Sequence, residues 1–173
     1  MALERATVED AGAAFGVVAA RVGWMAARGI AQWNATGYLE SYPEAYFRAR
    51  GELYVVRGRG GLCGVVVLLE SDPRWCGQPP RRALYVHNLA TDPRVRGVGR
   101  AMLGAAVSLA RARGLTAVRL DCAAGSGFLR GYYASMGFVC VGDVQDGPYA
   151  GLLLELDVER AGGLCGEAVG NGR

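Results

Sequence analysis

The chain has 173 residues, 51% of them hydrophobic and 20% charged, which describes a globular protein of about one domain and excludes the disordered class. Its 19 basic and 16 acidic side chains leave a net charge of +3, too even a balance for the basic stripe of a nucleic-acid binder. No run reaches about 18 uninterrupted apolar residues and the first residues lack the apolar core of a signal peptide, so neither a membrane span nor export is expected.

In chain order, residues 3–6 read as a short first strand. Thr7 caps a helix running to about residue 28, with Asp10 answering three positions on and Phe15, Val18, Val22 and Met25 along one side. Residues 29–38 read as a loop. Ser41, Pro43 and Glu44 mark a second helix start, with a capping serine, a first-turn proline and a glutamate three after the cap. Residues 53–57 and 62–70 are strands joined by the hairpin turn Gly58-Arg59-Gly60-Gly61. Residues 72–82, with three prolines and Trp75, read as a surface loop whose arginines are solvated.

A further strand at 84–91 stops at Asp92-Pro93, and a helix follows to Gly114 with Val98, Met102, Leu109 and Ala110 at helical spacing. Then come a strand at 117–122, a helix from about 128, and strands at 138–144 and 149–158. The order β-α-α-β-β-β-α-β-α-β-β predicts a mixed α/β fold with a partly antiparallel sheet. The glycine-rich tail 160–173 has no core pattern, so the expectation is one domain over 1–159 and a flexible tail.

Five cysteines (Cys63, Cys76, Cys122, Cys140, Cys165) form no CxxC pair and have no histidine at metal-ligand spacing, which points to no metal and a reduced, cytoplasmic setting. Cys63, Cys122 and Cys140 lie in apolar runs and read as small buried thiols. Between strand and helix, Arg94-Val95-Arg96-Gly97-Val98-Gly99-Arg100 brings three arginines to a helix entrance. Glycines there let backbone N–H groups approach an anion, and the helix end adds about half a positive charge, so the loop reads as a diphosphate cradle.

Arg94-x-x-Gly97-x-Gly99 resembles the acyl-CoA signature of the GCN5-related N-acetyltransferase (GNAT) superfamily. Residues 117–122 resemble that fold's fifth strand, and Phe128-Leu129-Arg130-Gly131-Tyr132-Tyr133-Ala134-Ser135-Met136-Gly137-Phe138 its fourth helix with a Tyr-x-x-x-Gly-Phe ending. The match covers 84 to about 141 and is weaker upstream. A second register, Arg96-x-x-Gly99-x-Ala101, also fits; the first is preferred because it sets Val98, Met102 and Leu103 on apolar positions and leaves the usual helix length to Gly114, although its linker from Pro93 is about two residues short. Ser126 stands where relatives often have an asparagine that holds the CoA arm.

The resemblance implies acetyl transfer from acetyl-CoA to a primary amine of a small molecule or peptide, by direct attack in a ternary complex. It implies carbonyl-polarising backbone at Leu89, Ala90 and Thr91, and Tyr133 as the acid for the leaving thiolate. His87 resembles a strand-four histidine that takes the amine proton through water, and Asp121 an acidic position that serves as base in other members. His87 is preferred, since an ordinary imidazole is half unprotonated near working pH and a carboxylate is a feeble base; the competing reading is a core histidine. Trp24 and Trp33 lie in an aromatic segment that resembles the acceptor side of bacterial members, where it would wall the amine pocket or simply pack. Dimers are common in the superfamily, so a homodimer is a further expectation from resemblance. A non-catalytic acyl-CoA-binding regulatory module is the alternative. An NTPase is excluded, because no Gly-Lys-Ser/Thr follows the glycines.

Overall fold

The computed structural model describes residues 2–30, 32–33 and 37–161. Its elements are β1 (Glu4–Arg5), α1 (Ala11–Ala26), α2 (Tyr38–Ser41), α3 (Glu44–Arg48), β2 (Leu53–Gly58), β3 (Gly61–Leu69), β4 (Ala83–Thr91), α4 (Val98–Ala112), β5 (Ala117–Ala123), α5 (Gly127–Ala134), β6 (Val139–Asp146) and β7 (Tyr149–Asp157). The strands form one seven-stranded sheet in the order β1-β2-β3-β4-β5-β7-β6. Every pairing is antiparallel except β4 with β5. That parallel pair needs a crossover, and α4 supplies it.

The sheet is covered on both faces, so its central strands are apolar almost continuously rather than alternating. Val66 and Leu68 of β3 join Leu84, Val86, Met102, Leu103 and Tyr133 under α4 and α5. Val65 and Val67 join Val18, Met25 and Phe47 under α1 and α3. At Gly64 a Cβ would lie 2.5 Å from Met102 Sδ and 2.9 Å from Val98 Cγ1, so α4 rests directly on the backbone of β3.

Two irregularities in β4 shape the middle of the sheet. Its pairs with β5 are Ala83↔Ala117, Leu84↔Val118 and Tyr85↔Arg119; beyond them the strands part. On the other edge, Val65 pairs with Ala90 and Val67 with His87, leaving Val66 opposite both Asn88 and Leu89. This is a β-bulge.

The element order agrees with the sequence reading, with several local corrections. α1 ends at Ala26, and Phe15 is only partly buried while Ala11 and Ala14 fill that face. The segment read as a loop to residue 38 ends in the short helix α2, which holds Ser41. Pro43, not Ser41, precedes α3, because its extended backbone suits the N-cap position. Cys63 and Cys122 are buried, but Cys140 is exposed, since it lies on the edge strand β6; burial pushes the Cys122 thiol up to about 11. Ala161, assigned to the tail, is 4% exposed and packs into the core under α4; residues 162–173 and Cys165 lie outside the described residues. Among the described residues no group of His, Cys, Asp and Glu is arranged to hold a metal ion, and no helix is long and apolar enough to cross a membrane.

Candidate active site

Where β4 and β5 part, the α4 and α5 side of the gap is built mostly from backbone. Gly97 adopts a left-handed conformation (φ 79°) at the N-cap of α4, a region open to glycine without strain. Ala101 is the first residue of this helix whose N–H finds a backbone carbonyl, that of Gly97. The N–H groups of Val98, Gly99 and Arg100 are thus the free donors of a helix start. A Cβ at Gly99 would lie 3.0 Å from the Tyr132 hydroxyl, 3.9 Å from Thr91 Cγ2 and 4.0 Å from Leu89 Cδ2. Any side chain there would fill the space between the end of β4 and α5. Val95 is exposed, whereas the Val98 side chain is buried, so Val98 offers this gap its backbone alone.

The three arginines of the loop differ. Arg94 folds back on Asp92, which accepts from its backbone N–H at 2.9 Å and from its Nη2 at 2.7 Å. The side-chain hydrogen bond from Arg94 holds the Asp92 carboxyl down at about 2. Arg100 donates to Ser135 Oγ at 2.9 Å. Arg96 is exposed and has no hydrogen-bond or ion-pair partner among the described residues. Val98, Met102 and Leu103 are buried whichever register names the signature, so their pattern does not favour Arg94 over Arg96.

Tyr133 is 9% exposed, packed edge-on to Phe138 at 5.7 Å. Its hydroxyl has no hydrogen-bond partner among the described residues, and burial raises its pKa. Ser126 caps α5, its hydroxyl accepting from the Leu129 N–H at 3.2 Å. Its oxygen therefore has a local structural task.

Across the sheet, the α1 to α3 side of the gap is a polar cluster. His87 and Asp121 each lie two residues past the last β4–β5 pair, and both meet Arg74. Arg74 Nη2 is 2.7 Å from His87 Nδ1, and Nη1 is 3.2 Å from Asp121 Oδ1. A guanidinium only donates, so Nδ1 accepts and the proton of a neutral ring sits on Nε2. Nε2 faces Asp72 Oδ2 at 3.1 Å, in poor alignment for a hydrogen bond. The second oxygen of Asp121 accepts from the Tyr149 hydroxyl at 2.6 Å, and burial together with the Asp121 charge raises the Tyr149 pKa. Burial pushes the Asp72 carboxyl up, but His87, the Arg74 N–H and the Arg74 guanidinium outweigh it and leave it below its ordinary value.

Sequence reasoning missed Asp72 and Arg74. The segment read as a solvated surface loop is anchored: Trp75 is 4% exposed and edge-on to Tyr85. Above it lies the buried guanidinium of Arg119, paired with Glu155 at 2.7 Å and donating to the Pro79 carbonyl at 2.9 Å. Trp75 among prolines was the available signal, since a large apolar ring in a polar loop must find cover.

Of the two tryptophans read as acceptor walls, Trp33 stacks on Tyr38 at 4.3 Å and begins a run of rings through Tyr42 and Tyr46 to Phe47. Trp24 lies elsewhere, with the guanidinium groups of Arg21 and Arg28 over its ring at 5.0 and 4.2 Å. Arg21 also donates to Thr91 Oγ1 at 2.6 Å and so ties α1 to the end of β4. Ala90 is buried on the α1 face. A cleft of about 640 Å³ between Ser135, Val139, Asp157 and Arg160 shares only Arg100 with the cradle loop and holds none of the polar cluster.

This architecture matches known proteins. Residues 19–138 fit the model of the acetyltransferase (GNAT) family. An uncharacterized N-acetyltransferase of Bacillus subtilis (strain 168), YesJ, is 29% identical over an alignment 157 positions long that covers 79% of this chain and 81% of YesJ. Among solved structures, a GNAT-family acetyltransferase from Listeria monocytogenes superposes with a TM-score of 0.73 at 19% identity, covering 90% of this chain and 93% of its own. The PaiA N-acetyltransferase from Thermoplasma acidophilum, solved in complex with coenzyme A, gives 0.69 at 17% identity over 91% and 99%. At these identities the structures speak for the fold, and the family model for the family. The chain belongs to the GNAT acetyltransferase family.

Proposed function

We propose that the protein transfers an acetyl group from acetyl-CoA to a primary amine of a small molecule or peptide, by direct attack in a ternary complex. The observation that carries this reading is the free N-terminus of α4 at the mouth of the β4–β5 split, across from a polar cluster on the other face. The N–H groups of residues 96–100 receive the diphosphate. Arg96 supplies the nearby full charge, in the register Arg96-x-x-Gly99-x-Ala101, because Arg94 is spent on Asp92. The acyl arm lies along Leu89 to Thr91, where β4 beyond Tyr85 has an edge without a β5 ladder, and N–H groups on that open edge polarise the thioester carbonyl.

The attacking nitrogen must lose a proton, and the sulfur must leave as a thiolate or thiol. Tyr133 gives the sulfur its proton, a role supported by an untied hydroxyl on a fixed ring. His87 takes the amine proton on Nδ1. That atom becomes available when Arg74 Nη2 lets go, while Asp72 and Asp121 keep the guanidinium in place. Asp121 is the second reading for the base, favoured by the fact that the His87 lone pair is engaged; one Asp121 oxygen, however, already accepts from Tyr149 and the other is ion-paired with Arg74. The net charge of Asp72, Arg74 and Asp121 is −1, which suits an incoming ammonium.

A thiol-release assay with acetyl-CoA over simple amines, polyamines, aminoglycosides and peptide N-termini, with products identified by mass, tests the reading. Amine-dependent release is expected, and Tyr133→Phe should lower kcat while leaving acetyl-CoA affinity within about twofold, since the packing ring stays. Tight acetyl-CoA binding with no turnover on any amine would instead make this the non-catalytic binding module.

A further inference from the structure

The bulge in β4 is held from the acceptor side of the sheet. Asn88, one of the two residues facing Val66, has φ 52° and is the one non-glycine residue with positive φ among those described. Asparagine tolerates this region better than most residues, but it still needs local support. Here the support comes from two helices. The Asn88 Oδ1 accepts from the Tyr46 hydroxyl of α3 at 3.0 Å, and its Nδ2 donates to the Tyr38 hydroxyl of α2. Both tyrosines are fixed in turn: Trp33 stacks on Tyr38 at 4.3 Å, and Arg50 lies over the Tyr46 ring at 4.5 Å. One side-chain amide thus joins the aromatic run of α2 and α3 to the one irregular step of β4.

We propose that Asn88 is a positioning residue, whose amide, gripped by Tyr38 and Tyr46, sets the β4 bulge and so aims the open edge of β4 at Leu89 to Thr91 toward the thioester carbonyl. The inference rests on the acetyl-CoA reading above. Its physical content is a coupling. A side chain that binds both hydroxyls transmits any shift of α2 or α3 to the strand that polarises the carbonyl, so an amine seated on the aromatic side and the acetyl group bias the same element. Without the grip, the bulge keeps its extra residue but loses the restraint on its direction.

The test needs no acceptor. Calorimetric affinities of the full chain are compared for acetyl-CoA and for S-ethyl-CoA, a thioether of the same shape without the carbonyl oxygen. The wild type should prefer acetyl-CoA. Asn88→Gly, which adopts positive φ without strain, should lose about fivefold of that preference, the worth of one net hydrogen bond, with S-ethyl-CoA affinity unchanged within twofold. Tyr46→Phe, which leaves the backbone alone, should lose part of it in the same direction and serves if Asn88→Gly does not fold. Full preference in both variants overturns the proposal, because positive φ alone would then set the bulge. A parallel loss for both ligands also overturns it, since that marks general damage. A wild type that binds neither ligand removes the acetyl-CoA reading itself, a result separate from any change in preference.

Discussion

The two sides of the split sheet are made differently. On the α4 side, one contiguous stretch, residues 92 to 100, supplies a turn, a helix start and an arginine, Arg96, with no partner among the described residues. On the α1 side, the cluster joins Asp72 and Arg74 from the loop before β4, His87 from β4, Asp121 from β5 and Tyr149 from β7. A site of backbone and local turns is set by neighbours in sequence and varies little with the rest of the fold. A site assembled from distant side chains exists only once the sheet and the Trp75–Arg119 anchor have formed. In the proposed function the first binds the constant group and the second is where an acceptor is chosen.

The largest expected effect is on the local side. Gly99→Glu puts a side chain between β4 and Tyr132 and a negative charge at the cradle, so acetyl-CoA affinity by calorimetry should fall at least about 100-fold in a protein that keeps its helical circular dichroism. Unchanged affinity would move the cofactor elsewhere. Next comes the cluster. His87→Ala should lower kcat/KM by about 100-fold, with partial recovery at high pH, where the amine sheds its proton unaided. If the variant keeps the wild-type acid limb, Asp121→Asn is the next protein to profile.

A smaller effect separates the two registers of the loop. Arg96→Ala should weaken acetyl-CoA binding about tenfold, the worth of one charge-assisted contact, and the loss should shrink as salt rises. Arg94→Ala should cost less than about threefold near neutral pH, since its guanidinium is held by Asp92. The sign of the Asp92 shift gives this a pH test. Its carboxyl is depressed to about 2 in the folded protein, so the Arg94–Asp92 contact contributes above the ordinary carboxylate pKa near 3.9 and is lost as pH falls through about 2. The smallest effect is expected from truncation after Ala161, which should leave turnover within about twofold, as the last described core contact is kept.

What was legible in the sequence follows the same division. The β4-turn-α4 unit and the glycine entrance could be read because period, turn residues and helix start lie within a short window, whereas Tyr133 could be read only from the resemblance of residues 128–138 to a family helix. His87 and Asp121 could be read as positions, but not as partners, because Arg74 reaches them from a loop whose composition looks solvated. The Asn88 bulge was invisible for a related reason. Asparagine inside an apolar strand is a weak signal, and the two tyrosines that hold it are more than forty residues away in the chain. The preference for Arg94 over Arg96 rests in part on apolar positions that are buried in either register.

The most direct test of the central claim is backbone hydrogen exchange of the full chain with and without acetyl-CoA. Free N–H groups at the start of α4 should exchange fast in the unliganded protein and become protected at residues 96–100 when acetyl-CoA binds, with smaller protection at 89–91. Saturating acetyl-CoA that leaves exchange at 96–100 unchanged would contradict the account.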